Sequence, residues 1–215
     1  MFLCTTLSGM ARLLGVTDAI YDPHIRISFS CDDSLVFCIG YFLLCSMPLL
    51  GSADGNTPIR FPELLEGING QVPLIVEIKQ QEYPDQTRNL AIRALTDAAN
   101  YTGPIAFKSF DPVALHTLYG SGYRGPLGII TYDYSVEADH LNGVQKFLLR
   151  NVLHRKISRF NFISCERTAL TRGMIRFNRL FGMKVMSWTV RSAEEARMAL
   201  KHADQIVFEG FDPEK

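Results

Sequence analysis

Two charged residues of opposite sign stand two apart at the end of an apolar run: Glu77 and Lys79 in VPLIVEIKQQ (residues 72–81). In an extended strand that spacing puts both side chains on one face, with Ile75 below them and Ile78 on the other side. A carboxylate and an ammonium on an inward-facing strand end need a partner, a metal or an anionic ligand, because burying either charge alone is costly. Otherwise the pair has simply left the sheet for solvent. Other apolar runs also end in polar or amphipathic groups: Ser109 after AFK, Trp188 in VMSWTV, and Glu209 in IVFEGF. A hydroxyl at Ser109 can bind a phosphate oxygen or cap the following helix, for which Asp111 is the better placed. Trp188, the only tryptophan, can line a pocket or pack in a core. Glu209 can face a pocket or pair with a base.

Other chemistries lack their residues. No G-x-S-x-G nucleophile motif occurs, and of the five histidines (His24, His116, His140, His154 and His202) most fall in segments with helical spacing. His24, after Pro23, is the one whose setting leaves acid-base work open. Cys31, Cys38 and Cys45 recur every seventh residue without a histidine or a C-x-x-C pair, so zinc is disfavoured. Five cysteines, an odd number without a paired framework, point to free thiols in a reducing compartment, hence the cytoplasm.

The elements that must position these residues form a regular series. Apolar runs at 72–79, 104–110, 126–132, 160–165, 183–190 and 204–211 predict six strands. Helical spacing over 85–100, 112–119, 136–154, 169–181 and 193–202 predicts the helices between them. Boundary residues agree: Asp111-Pro112 gives a cap and a first-turn proline, Gly182 a helix end, and Ser192 with Glu195 a capping box. Strand-helix alternation implies parallel strands joined by right-handed crossovers. A doubly wound sheet and a (βα)8 barrel both fit. The missing glycine-rich phosphate turn, together with polar residues at the C-terminal strand ends, favours the barrel. Six βα units are visible from residue 72 onward, so the barrel is expected to be incomplete.

The first 70 residues do not follow this rhythm. Residues 34–50, SLVFCIGYFLLCSMPLL, are too short and too interrupted by Gly40 and Pro48 to span a bilayer, where about 20 apolar residues are needed. Neither a signal peptide nor a transmembrane span is expected, and this stretch is left as a surface for a partner or as cover for open barrel edges. With 215 residues, 47% of them hydrophobic, the chain can bury a core. Its 22 basic and 22 acidic residues balance, which argues against nucleic acid and for a small-molecule or protein partner.

Read together, PIRFPELLEGINGQVPLIVEIK, AFKSFDP, VMSWTVRS and QIVFEGFDP resemble the glycerophosphodiester phosphodiesterase family, phospholipase C-like barrels, over residues 51–215. The resemblance implies a TIM-type barrel that hydrolyses glycerophosphodiesters to sn-glycerol 3-phosphate and an alcohol, using a divalent metal, Mg²⁺ or Ca²⁺, and two histidines. It places Glu77 at the family's metal-binding glutamate, Lys79 at the lysine that meets the phosphate, and Trp188 at the pocket-lining tryptophan. Ser109 and Glu209 are carried as further substrate-binding candidates. The family's opening H-R-G and following E-x-D have no counterpart. Its H-D pair has none either: Cys4-Thr5 stands there in one alignment and Cys31-Asp32 in another. Residues 1–50 therefore read as an atypical remnant of the early barrel, in a chain lacking or diverging from the family's N-terminal part. No residue is assigned a catalytic role, and weak turnover or none is expected. The alternative is a non-catalytic barrel-derived binding or interaction protein, which metal ions should not stabilise.

Overall fold

A computed structural model describes residues 60–71, 73–134 and 141–212. Most of the N-terminal segment, including His24, Cys31, Cys38, Cys45 and the apolar stretch 34–50, lies outside the described residues. The described chain runs α1 (Phe61–Ile68), β1 (Leu74–Glu77), α2 (Pro84–Asp97), β2 (Ile105–Ser109), α3 (Pro112–Gly120), β3 (Leu127–Thr131), α4 (Gly143–Arg150), α5 (Arg155–Ser158), β4 (Phe162–Glu166), a 3₁₀ turn (Arg167–Ala169), α6 (Gly173–Leu180), β5 (Lys184–Val190), α7 (Ala193–Ala199) and β6 (Gln205–Phe208). All six expected strands form. They pair in parallel, in sequence order β1-β2-β3-β4-β5-β6. Consecutive parallel neighbours with a helical crossover each time are the wall of a (βα)8 barrel, here six strands of an incomplete one.

The strands are apolar on both faces, and the two faces do different work. Ile78, Phe107, Leu127, Ile129, Ile163, Cys165, Val185, Ile206 and Phe208 belong to the main core, where they meet Leu90, Ala94, Leu115, Leu118 and Ile175 from the helices. Their alternates Ile75, Ala106, Phe162, Met186, Val207 and Trp188 form a second, smaller cluster on the inner face. Gly128 belongs to that inner row, in register with Lys108 on one side and Phe162 on the other. A Cβ there would lie 2.2 Å from Phe162 Cζ, so the missing side chain is the space the ring occupies.

Three local features differ from expectation by more than a few terminal residues. Of the helix expected over 136–154 only α4, 143–150, forms among the described residues; the chain then turns at Val152, at φ 50, a left-handed conformation that a β-branched residue seldom adopts, and α5 follows beyond the expected range. Residues 135–140 of that range are outside the description. The helix expected from 169 begins at Gly173, because Arg167–Ala169 closes a separate 3₁₀ turn. At α7 the Ser192 hydroxyl accepts from Glu195 N at 3.2 Å as expected. The Glu195 carboxylate, however, accepts from Arg191 N at 2.8 Å, so the reciprocal half of the capping box is made one residue early. Asp111 caps α3 by accepting from Val113 N at 2.8 Å, and Gly182 ends α6 at φ 83. Among the described residues no helix is long and apolar enough to cross a membrane.

Candidate functional site: a cationic mouth at the strand ends

β1 delivers Glu77 to the inner face, and register sets Lys108 of β2 directly beside it. Ile78 N donates to Lys108 O at 2.8 Å, which locks the two strand ends together. The Glu77 carboxylate is then held from two sides: Lys79 Nζ lies 2.9 Å from Oε1, and Lys108 Nζ lies 3.4 Å from Oε2. The Lys108 side chain is 8% exposed and that of Lys79 38%, so one side chain is enclosed and the other partly exposed. Burial works to raise the Glu77 pKa. The ammonium groups of Lys108 and Lys79 outweigh it, and the carboxyl stays below the ordinary glutamate value. Each oxygen of the Glu77 carboxylate thus faces one ammonium group.

At the same end of the sheet stands a row of aromatic rings, each at or just beyond the C-terminal end of a strand. Phe110 after β2 meets Trp188 of β5 edge-on at 5.7 Å and Tyr132 after β3 edge-on at 5.9 Å. Tyr132 lies 4.1 Å from Tyr134. The Trp188 indole Nε1 donates to Ser164 O at 3.1 Å, which fixes the ring against β4. Arg172 Nη1 donates to Tyr132 O at 3.0 Å and anchors the turn after β3. The aromatic row and the Glu77–lysine cluster thus lie at the same, C-terminal end of the sheet, an arrangement suited to a ligand with an anionic head and carbon-rich neighbours.

The remaining sequence candidates stand elsewhere or are already engaged. Ser109 is fully buried; its hydroxyl donates to Ile78 O at 2.6 Å and accepts from Asp111 N at 3.0 Å, tying β2 to β1 and to the start of α3. Glu209 follows β6 and pairs with Arg191, while its other oxygen, Oε2, is buried without a hydrogen-bond partner among the described residues. Ser164 Oγ on the inner face of β4 is likewise buried and unpartnered. Lys108, Phe110 and Tyr132 were missed as site residues from the sequence. The first was visible in AFKSF, but its significance depends on the strand register that sets it opposite Glu77.

The described histidines lie away from this mouth. His116 Nδ1 is 3.0 Å from Ile157 O, between α3 and α5. His154 is buried against Phe160 and Ser158, and burial lowers its pKa to about 4. His202 lines a 540 Å³ cleft with Arg176, Arg179, Leu180, Lys201 and Asp204. That cleft is at the opposite end of the strands, since Asp204 immediately precedes β6, and barrel chemistry gathers at the other end. Cys165 is a free, buried thiol whose pKa burial pushes up to about 12, leaving it unreactive.

A divalent cation of the kind the family resemblance implies would need several oxygen ligands. Among the described residues no group of three or more His, Cys, Asp or Glu could hold a metal, and both oxygens of Glu77 already face ammonium groups. The described donor set does not fit the ion.

No protein-family profile and no curated protein matches the sequence. Solved structures do share its fold. A glycerophosphodiester phosphodiesterase from Parabacteroides distasonis is 14% identical and superposes with a TM-score of 0.58 over 77% of this chain and 65% of that one. A phosphodiesterase from Oleispira antarctica, solved with its product sn-glycerol-3-phosphate, is 15% identical with a TM-score of 0.56, over 71% of this chain and 57% of that one. The chain thus spans 57% to 65% of the length of these two structures. The resemblance read from the sequence is borne out at the level of the fold, an incomplete barrel of the glycerophosphodiester phosphodiesterase type.

Proposed function

We propose that the strand-end mouth binds a glycerophosphodiester or its glycerol phosphate product, and that this chain by itself hydrolyses the diester weakly or not at all. The observation that carries the reading is the Glu77 carboxylate held between Lys79 and Lys108, at the same end of the sheet as the Phe110–Trp188 aromatic pair. Lys79, the more exposed cation, meets the phosphate, and its charge-assisted hydrogen bonds to anionic oxygens give binding and orientation. Trp188 and Phe110 pack against the carbon atoms of the ligand. The product held by the Oleispira antarctica structure supports the choice of ligand class.

Weak turnover follows from what stands around the phosphate position. General acid-base groups contribute roughly 10²- to 10⁴-fold each, and none of the described histidines is at this mouth. The Mg²⁺ or Ca²⁺ of the resemblance finds no group of three ligating side chains among the described residues, and the Glu77 carboxylate is already paired, so the reading includes no metal-dependent step. Purified protein incubated with glycerophosphocholine or bis-p-nitrophenyl phosphate is expected to release product at or near background. A robust metal-dependent rate abolished in Glu77→Ala would overturn the weak-turnover reading.

A further inference from the structure

We infer that α4 and the turn after it form a docking element that seats this end of the barrel on an anionic lipid surface. The inference stands apart from the phosphate reading and rests on exposure and charge. α4 is capped at its start by a reciprocal pair, Gln145 N donating to Asn142 Oδ1 at 2.9 Å and Asn142 N to Gln145 Oε1 at 3.0 Å, yet none of its residues is buried. Val144, Phe147 and Leu148, at i, i+3 and i+4, share one face of it and are exposed, Val144 to 68% and Phe147 to 60%. Leu153 N donates to Leu148 O at 3.0 Å, which brings a fourth exposed apolar residue to the end of that row, and Ile157 of α5 is a fifth. An eight-residue helix gains little from propensity alone, so an apolar row turned outward is surface left for a partner.

The charges around the row select that partner. From Leu141 to Cys165 the chain has five basic residues, Lys146, Arg150, Arg155, Lys156 and Arg159, and no acidic one, although the whole chain balances 22 against 22. Arg150 pairs with Asp133 at 3.5 Å, and Arg159 lies against the Tyr119 ring. No carboxylate among the described residues pairs with Lys146, Arg155 or Lys156. Protruding aliphatic and aromatic side chains flanked by lysine and arginine suit a helix lying in a lipid interface, where the apolar row enters the acyl boundary and the cations meet anionic head groups. A nucleic acid would answer the cations and leave the apolar row in water. α4 is also fastened to the mouth: Thr131 Oγ1, at the end of β3, donates to Leu149 O at 3.4 Å, and Arg172 donates to both Tyr132 O and Arg150 O. Docking through α4 therefore holds the C-terminal strand ends close to the lipid surface.

The test is sedimentation of the full chain with vesicles of phosphatidylcholine alone and with about 30% phosphatidylserine, at low and high salt. Binding to the anionic vesicles is expected, weaker by about tenfold or more when phosphatidylserine is left out or salt is raised to about 0.5 M. The double substitution Val144→Ser with Phe147→Ser, and the triple substitution Lys146→Gln, Arg155→Gln and Lys156→Gln, are each expected to weaken it about tenfold or more. Ile92→Ser, at an exposed apolar position of α2, is expected to leave it unchanged. Residues 34–50 are present in every variant, so their own affinity for lipid does not produce the loss. Near-ultraviolet circular dichroism checks the packing of each variant, and should one fail to fold, the other variant and the lipid and salt series decide. Absence of binding to anionic vesicles, equal binding to neutral and anionic ones, or binding that the folded variants keep overturns the docking element and leaves the phosphate reading standing. Retention by a DNA duplex without retention by vesicles overturns it in favour of a nucleic acid.

Discussion

The outer and inner faces of one six-stranded sheet have different compositions and different fates. Outside, Phe107, Ile129, Ile163, Val185 and Ile206 are each at most 3% exposed against helix side chains, and the main core is closed. Inside, a handful of apolar residues fill the lower level, and above them come Glu77, Lys108, Ser164 and Glu209, two of which carry buried atoms without partners. Stability resides on the helix-covered face and the proposed ligand chemistry on the other, the division a barrel imposes because its strand ends open on one side. On the inner face three charges answer one another.

That contrast can be broken most forcefully from outside. Phe107→Ala removes a fully buried ring that meets Tyr123 edge-on at 5.1 Å, and is expected to cost about 3–5 kcal/mol in urea unfolding, while a folded fraction keeps its ligand affinity. Acid should act on the same outer layer through His154. Its folded pKa, about 4, lies below the ordinary histidine value of 6.5, so between these values the unfolded chain binds the extra proton. This contribution is therefore absent above pH 6.5 and destabilises increasingly as pH falls from there toward 4, by on the order of 3 kcal/mol in all. Unfolding followed from pH 7.5 to 4.5 should show the slope, and His154→Phe should flatten it.

On the inner face, Gly128→Ala places a methyl where the Phe162 ring lies and is expected to cost about 1–3 kcal/mol. Because Gly128 is in register with Lys108, the same change should also perturb ligand binding, as no outer-face substitution of equal cost would. A caloric and affinity comparison of Gly128→Ala with Phe107→Ala separates the two faces. The smallest effect belongs to a site that serves neither face: Asp111→Ala, which removes the α3 cap, is expected to lower stability by about 1 kcal/mol and leave affinity unchanged.

The strands were legible because parallel strands buried on both faces read as short continuous apolar runs, and all six runs became strands of the sheet. Asp111-Pro112 and Gly182 marked their boundaries for the same local reasons that operate in the structure. The break within 136–154 was not legible: it falls at Val152, a residue whose side chain argues against φ 50, and tertiary packing of the 3% exposed Val152 accompanies it. At the site, Glu77 and Lys79 could be placed on one face from spacing alone. Lys108 could not be assigned its part, because its partner stands 31 residues away and is brought alongside only by strand register. The aromatic wall was hidden for the same reason, since Phe110, Tyr132 and Trp188 come from three different strand ends. Ser109 looked like a ligand group by position and is occupied between Ile78 O and Asp111 N.

The central claim is that the Lys79 ammonium meets a phosphate oxygen at this mouth. Titration of the unaltered protein and of Lys79→Ala with sn-glycerol 3-phosphate at pH 7.5 tests it most directly. The account predicts saturable binding that weakens by roughly tenfold or more in the variant, whose packing is checked by near-ultraviolet circular dichroism. Equal affinities for the two proteins would contradict it.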